Sequence, residues 1–115
     1  MKFEKELFKG NTDMLVLILL SKEDLYGYKL IRKLEENSKD IFSLKEGTLY
    51  PILHSLEKQQ LVESYWEESI STRKRKFYKI TDKGQKALKE KKSEWNKYVE
   101  GVNNLLTEVD YIYAK

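Results

Sequence analysis

Residues 47–60, Gly47-Thr-Leu-Tyr-Pro-Ile-Leu-His-Ser-Leu-Glu-Lys-Gln-Gln60, carry a helical pattern together with the only proline of the chain, Pro51. At about 100° per residue, Leu49, Ile52, Leu53, Leu56 and Gln60 fall on one face, apolar except for the last. That face belongs against a core. The opposite face gathers Gly47, Pro51, His54, Ser55 and Lys58, flanked by Thr48 and Tyr50, and none of these is acidic. A helix beginning near Gly47 puts Pro51 in or just after its first turn, where the missing N–H removes at most one weak bond instead of the roughly 3 kcal/mol lost in a helix interior. A rigid proline beside small polar groups and a cation, near the positive end of a helix, suits a groove lined by phosphates. Alone, the run also fits a solvated helix whose proline simply marks its start. Its neighbours decide between the two.

A chain of 115 residues is sized for one domain with at most an appended element. Its 36% charged content predicts a modest core that gains from association. The longest apolar run, Met14-Leu-Val-Leu-Ile-Leu-Leu20, falls far short of the ~20 residues that span a bilayer, and Glu4 and Glu6 without a cleavage site do not suit a signal peptide. A cytoplasmic protein without membrane attachment is expected. Zero cysteines and one histidine remove disulfides, thiol nucleophiles, zinc fingers and the usual catalytic triad. No enzyme, metal site or cofactor is therefore expected.

The net charge of +3 is too small to identify a nucleic-acid partner, so its distribution matters more. Residues 1–60 hold ten basic and ten acidic side chains. By contrast Ser69 to Thr81, SISTRKRKFYKIT, holds Arg73, Lys74, Arg75, Lys76 and Lys79 with no acid.

Along the chain, Leu7 to Leu20 reads as a first helix, broken at Lys22-Glu23-Asp24, and Asp24 is placed to cap a second helix running through Tyr26 to Glu36. Gly27, Leu30, Ile31 and Leu34 form its inner stripe, with Gly27 allowing close helix contact. Core packing and phosphate contact are equally open to Tyr26 and Tyr28. After the loop Asn37 to Lys45 comes the proline-bearing helix. Leu61 to Glu67 and Arg75 to Ile80 then alternate and predict a hairpin with a basic tip. Asp82, with Gln85 three residues on, suits the start of a last helix that runs past residue 100. The order predicts a mainly α protein with a small β-hairpin: a winged helix-turn-helix over residues 1–81, followed by a long C-terminal helix over 82–115. In that fold the third helix enters the major groove and the hairpin reaches the adjacent backbone. The candidate DNA contacts are Lys45 just before the third helix, Thr48, Tyr50, Pro51, His54, Ser55 and Lys58 on it, and Arg73, Lys74 and Arg75 on the wing, with Pro51 set to touch a thymine methyl.

These residues also carry a family resemblance. Lys9-Gly10, Asp13 to Leu20, Tyr26-Gly-Tyr28, Gly47-Thr-Leu-Tyr-Pro-Ile-Leu53, Leu56-Glu57 and Arg75-Lys-Phe-Tyr-Lys-Ile-Thr-Asp-Lys-Gly84 together resemble the PadR family of bacterial transcriptional regulators. The resemblance implies a homodimeric winged-helix repressor whose third helix and wing bind a palindromic double-stranded DNA operator. The short tail is similar to the branch with a single C-terminal helix. The chain departs from the pattern at the glycine-free wing tip Ser69-Ile-Ser-Thr72 and at His54, where an arginine is common.

With Leu88 at heptad position a, the a and d series is Leu88, Lys91, Trp95, Tyr98, Val102, Leu105, Val109 and Ile112, apolar except for Lys91. Val99, Leu106 and Tyr113 widen the stripe beyond what a two-stranded seam needs. Leu88, Trp95, Val99, Val102, Leu105, Leu106 and Val109 are accordingly the expected dimerisation residues, with burial against the partner's tail and first helix. Gly101 and Asn103-Asn104 are places where the helix could kink. Trp95 and Tyr98 suit either a dimer core or the walls of a gap that stacks a small planar aromatic effector, an arrangement to which the family resemblance lends support, and Lys91 could attract an anionic one. A winged helix used only as a protein-interaction module is the alternative to DNA binding, and the acid-free wing favours DNA.

Overall fold

The computed structural model describes residues 10–68 and 74–114, with side chains as far as Val109. Helix α1, Thr12–Lys22, is apolar nearly all round and buries Thr12, Val16, Leu17, Leu19 and Leu20. Such a helix must be covered on several sides, and α1 is the centre around which the other elements pack. It starts later and ends later than the sequence pattern suggests. Gly10 and Asn11 form a turn and the helix continues through Lys22, while Leu7 lies outside the described residues.

The segment after α1 corrects the expected cap. Leu25–Tyr26 form a short strand, β1, and helix α2, Gly27–Asn37, starts only behind it, with Tyr26 as N-cap and no side-chain cap bond. Leu25 is 2% exposed and lies opposite Tyr78, so burial and strand pairing hold this stretch extended. The Asp24 carboxylate, freed from capping, accepts a hydrogen bond from the Tyr65 hydroxyl at 2.7 Å. Gly27 does allow a close approach: a Cβ there would stand 2.5 Å from the Tyr50 hydroxyl oxygen. Gly27, Leu30 and Leu34 are buried as the inner stripe requires, with Ile31 packed on the core.

Helix α3, Glu46–Lys58, seals Leu49, Leu53 and Leu56 into the core and half-buries Ile52. Pro51 lies in its second turn, so the only intrahelical acceptor left without its bond is the carbonyl of Gly47, four residues back, where no side chain adds crowding. Gln60 is not part of the apolar face. It stands beyond the helix in the left-handed region, φ +64°, where its N–H bonds the Glu57 carbonyl at 2.9 Å and the Leu61 N–H bonds that of Leu56 at 2.9 Å. This paired closure folds Leu61 back onto Leu56. Helix α2 ends the same way, with Lys39 at φ +53°.

Strands β2, Val62–Glu68, and β3, Lys74–Ile80, pair antiparallel from Val62–Ile80 out to Glu68–Lys74. With β1 they make a three-stranded sheet in the order β1-β3-β2, so the expected hairpin gains a third strand. Helix α4, Asp82–Ala114, is unbroken across Gly101. Thr81, not Asp82, caps it: the Thr81 hydroxyl accepts the Gly84 N–H at 3.0 Å and donates to the Gln60 carbonyl at 2.7 Å. Gly84 is buried, and a Cβ there would collide with the Leu61 carbonyl. Ala87 and Leu88 still pack on the core, and α4 runs beside α1 as far as Tyr98 before it extends past the domain. The chain therefore measures 66 × 29 × 21 Å, with a radius of gyration of 17.2 Å against about 13 Å for a compact domain of this length. No helix among the described residues is long and apolar enough to cross a membrane.

Candidate nucleic-acid interface

The core-facing stripe of α3 fixes what the opposite side presents. Lys45, Thr48, Pro51, His54, Ser55 and Lys58 are all exposed, and their spacing places them along one outward stripe. Ser55 is partly engaged, since its Oγ accepts a hydrogen bond from Gln59 Nε2 at 3.1 Å. Tyr50 is set apart: 40% exposed, it lies across Gly27 at the start of α2 rather than on the stripe.

The wing carries more acid than its basic strand suggests. The register sets Glu63 opposite Lys79, Glu67 opposite Arg75 and Glu68 opposite Lys74, and the last pair approaches to 3.8 Å. Lys74 thus has a local acidic partner, contrary to the acid-free reading of the tip. Both side chains of that pair are well exposed, and such a pair contributes little and yields readily to a stronger anion. Arg73 and the tip Ser69–Thr72 lie outside the described residues. Arg75 is held in place: its guanidinium lies 4.6 Å over the Tyr26 ring and Nη1 donates to the Tyr26 hydroxyl at 3.2 Å.

Alternation along the strands sorts the wing into two faces. The outer face stacks Tyr65 on Phe77 at 5.7 Å and sets Tyr26 edge-on to Phe77 at 5.4 Å. The hydrogen bond to Asp24, with burial second, pushes the Tyr65 phenol up to about 12. The other face runs Val62, Ser64, Trp66 on β2 and Ile80, Tyr78, Lys76, Lys74 on β3. Its inner end is buried, burial pushes the Tyr78 phenol upward, and Ser64 donates to Glu57 of α3 at 2.7 Å. Its outer end overhangs a cleft of about 660 Å³ between the wing and the starts of α2 and α3. Trp66, Lys74, Arg75 and Lys76 form the wing side of that cleft, and Tyr26, Gly27, Tyr28, Glu46 and Tyr50 the helix side. Trp66 and Lys76 line this cleft, and sequence reading places neither at a site. The signal was present in the parity of β2, where Trp66 shares a face with buried Val62.

Along α4, Trp95 and Tyr98 stack with centroids 6.3 Å apart. Lys91 joins them around a hollow of about 440 Å³, with Glu94 of the same helix and Met14 of α1 beside it. A larger apolar groove of about 690 Å³ runs between α1 and α4, floored by Met14, Leu15, Ile18, Phe42, Leu88 and Trp95. Farther out, Tyr98, Leu105, Leu106 and Val109 are 63%, 66%, 51% and 44% exposed, while Val99 and Val102 are half-buried.

Comparisons with known proteins agree with this geometry. A transcriptional regulator from Clostridium thermocellum is 32% identical, with a TM-score of 0.80 over 87% of this chain and 97% of that one. A PadR-like transcriptional regulator from Bacillus cereus is 37% identical, with a TM-score of 0.78 over 89% and 97%. The transcriptional regulator YqjI of Escherichia coli is 28% identical over 85 residues, which cover 74% of this chain but 39% of that longer protein. Residues 16–90, from the middle of α1 into α4, match the transcriptional regulator PadR-like family, and the chain belongs to that family.

Proposed function

We propose that the protein is a transcriptional repressor that binds a palindromic DNA operator as a homodimer. Residues 1–81 bind the DNA and residues 82–115 hold the dimer. The observation that carries the reading is the outward stripe of α3, a row of small, neutral and basic side chains free of acid between Thr48 and Lys58. Lys45, Thr48, His54, Ser55 and Lys58 make polar contacts in the major groove, Pro51 meets a thymine methyl, Tyr50 supports the helix end, and Arg73, Lys74 and Arg75 contact phosphates. Exposed leucines on α4 support dimerisation, because a stripe that large on a lone helix is costly to leave in water.

Selection of bound fragments from random duplex DNA is the test. Inverted half-sites with centres about one helical turn apart are expected. Failure to enrich any sequence overturns the reading in favour of a protein-interaction module.

At the dimer axis, Trp95 and its symmetry mate flank a gap that takes one planar aromatic effector, with Tyr98 beside it and Lys91 favouring an anionic one. Binding there shifts the half-site spacing and releases the operator. With Trp66 replaced by Phe, titration of planar aromatic compounds is expected to quench Trp95 emission, and an unresponsive, buried-type emission across a broad panel would make Trp95 structural.

A further inference from the structure

The outward stripe of α3 carries the chain's one histidine, and the chain has no cysteine. These are the two side-chain types whose charge ordinarily changes between about pH 6 and pH 9. His54 is therefore the only side chain of that kind, and it stands exposed in the middle of the proposed reading surface.

Its surroundings offer no spare carboxylate. Glu57, three residues on, is half-buried and turned to the wing, where its Oε2 accepts the Ser64 hydroxyl at 2.7 Å and its charge faces the Tyr78 phenol. Glu46 lies two turns back, among the Tyr28 and Tyr50 phenols where α2 approaches. Strand β2 turns Val62, Ser64 and Trp66 toward α3 and keeps Glu63 and Glu67 on its opposite face, and α1 meets α3 inside the apolar core. The charge that shares the exposed stripe is Lys58, one turn on, with Lys45 preceding the helix. Among the described residues none bonds the imidazole.

Duplex DNA brings to this stripe the negative charge that the protein leaves out. The two forms of the ring also read different bases. A neutral imidazole has one donor and one acceptor and suits either kind of base edge, whereas an imidazolium has two donors and no acceptor. In the major groove a donor-only group fits guanine, which presents N7 and O6 as acceptors, while adenine and cytosine each present an amino donor.

We propose that His54 binds the operator as an imidazolium that donates to a guanine in each half-site, so that binding takes up one proton per subunit and the choice of base depends on pH. The inference rests on the DNA-binding reading above and deepens it, because the same helix selects guanine with the ring charged and discriminates less with it neutral. The bound state holds protons that the free state lacks. Affinity therefore falls as pH rises, by up to about one decade per pH unit for each half-site.

The test is parallel selection of bound fragments from random duplex DNA by the full chain at about pH 6 and about pH 8, followed by titration of the selected duplexes across that range. A guanine is expected at one fixed position of each half-site at the lower pH, a weaker preference there at the higher, and a loss of affinity of about tenfold or more between them. His54→Gln should remove this dependence. His54→Arg, a permanent cation that takes guanine bidentately, should keep the guanine at both pH values. The side chain is exposed, so both variants should fold as the parent does. A parent that binds equally well at both pH values with the same base preference overturns the inference and leaves the DNA-binding reading standing. A pH dependence that survives in His54→Gln assigns the proton to another group and overturns it as well, and one that is equal on mixed-sequence duplexes makes the ring a phosphate contact and removes the guanine. A parent that enriches no sequence at either pH overturns both readings.

Discussion

Single residues at the ends of helices set how the site is presented. Gln60 adopts φ +64°, a conformation that costs a side-chain-bearing residue about 1–2 kcal/mol, so that α3 can stop sharply and hand the chain to β2. Gln60→Gly removes that penalty at the expense of a more flexible unfolded chain, and a net gain of about 0.5–1 kcal/mol in chemical denaturation is expected. Its backbone carbonyl, the acceptor for Thr81, is retained. Tyr65 offers a second measurement. Its phenol is pushed up to about 12 by the hydrogen bond to Asp24 and by burial, against an unfolded value near 10.0. The folded protein therefore keeps a proton that the unfolded chain has released between those values. The contribution of this phenol to stability is whole below about pH 10 and declines as pH rises through 12. Tyr65→Phe should decline less over that window and should lack one phenol of raised pKa in an absorbance titration, and equal profiles would mean the Asp24 contact is not formed in solution. Neither residue was legible in advance. Thr81 and Asp82 are both good caps by type, and Gln60 suits a helix by type, so only the path of the backbone decides between the options.

At the scale of elements, helices α2 and α3 and the wing follow from periodicity because each buries a stripe long enough to repeat: Leu49, Leu53 and Leu56 on α3, Gly27, Leu30 and Leu34 on α2. Strand β1 does not, since two residues are too few to alternate and its pairing with β3 is set by a partner some fifty positions away. The wing's charge has the same cause. Lys74, Arg75 and Lys79 are acid-free neighbours along the chain, and the glutamates that oppose them, Glu68, Glu67 and Glu63, come from the other strand. This opposition has a measurable effect. Replacing Arg73, Lys74 and Arg75 with Ala should weaken binding to every duplex and flatten the salt dependence by about 0.9 for each phosphate that is no longer neutralised. Glu67→Gln with Glu68→Gln should do the reverse, tightening binding by about two- to fivefold at low salt and by less as the charges are screened. If the glutamine pair leaves affinity untouched, the outer wing does not approach the phosphates.

For the whole molecule, the contrast lies between the first part of α4, bound to the domain through Gly84, Ala87 and Leu88, and the remainder, whose leucines face outward. Leu105→Glu combined with Leu106→Glu places charge at positions 66% and 51% exposed in the single chain, so the domain should fold as before. If those positions lie in the dimer seam, sedimentation should report a monomer that binds a full operator at least tenfold more weakly, because the second half-site no longer arrives with the first. A dimer that persists in this variant would place the seam elsewhere. The joint at Thr81 has a mechanical consequence. Four hydrogen bonds meet there, from the Thr81 N–H to Leu61, from its hydroxyl to Gln60, from the Gly84 N–H to its hydroxyl and from the Gln85 N–H to its carbonyl, and they tie the end of α3 to the root of α4. At about 1.5 Å per residue, Trp95 stands roughly 20 Å along this shaft. A sideways push of about 1 Å at that distance turns the root by about 3°, and α3 must turn with it as one piece of a crank. In a two-fold dimer the two cranks turn together about the shared axis, so a displacement smaller than a methyl group would open or close the span between two reading helices with nothing in between to absorb it.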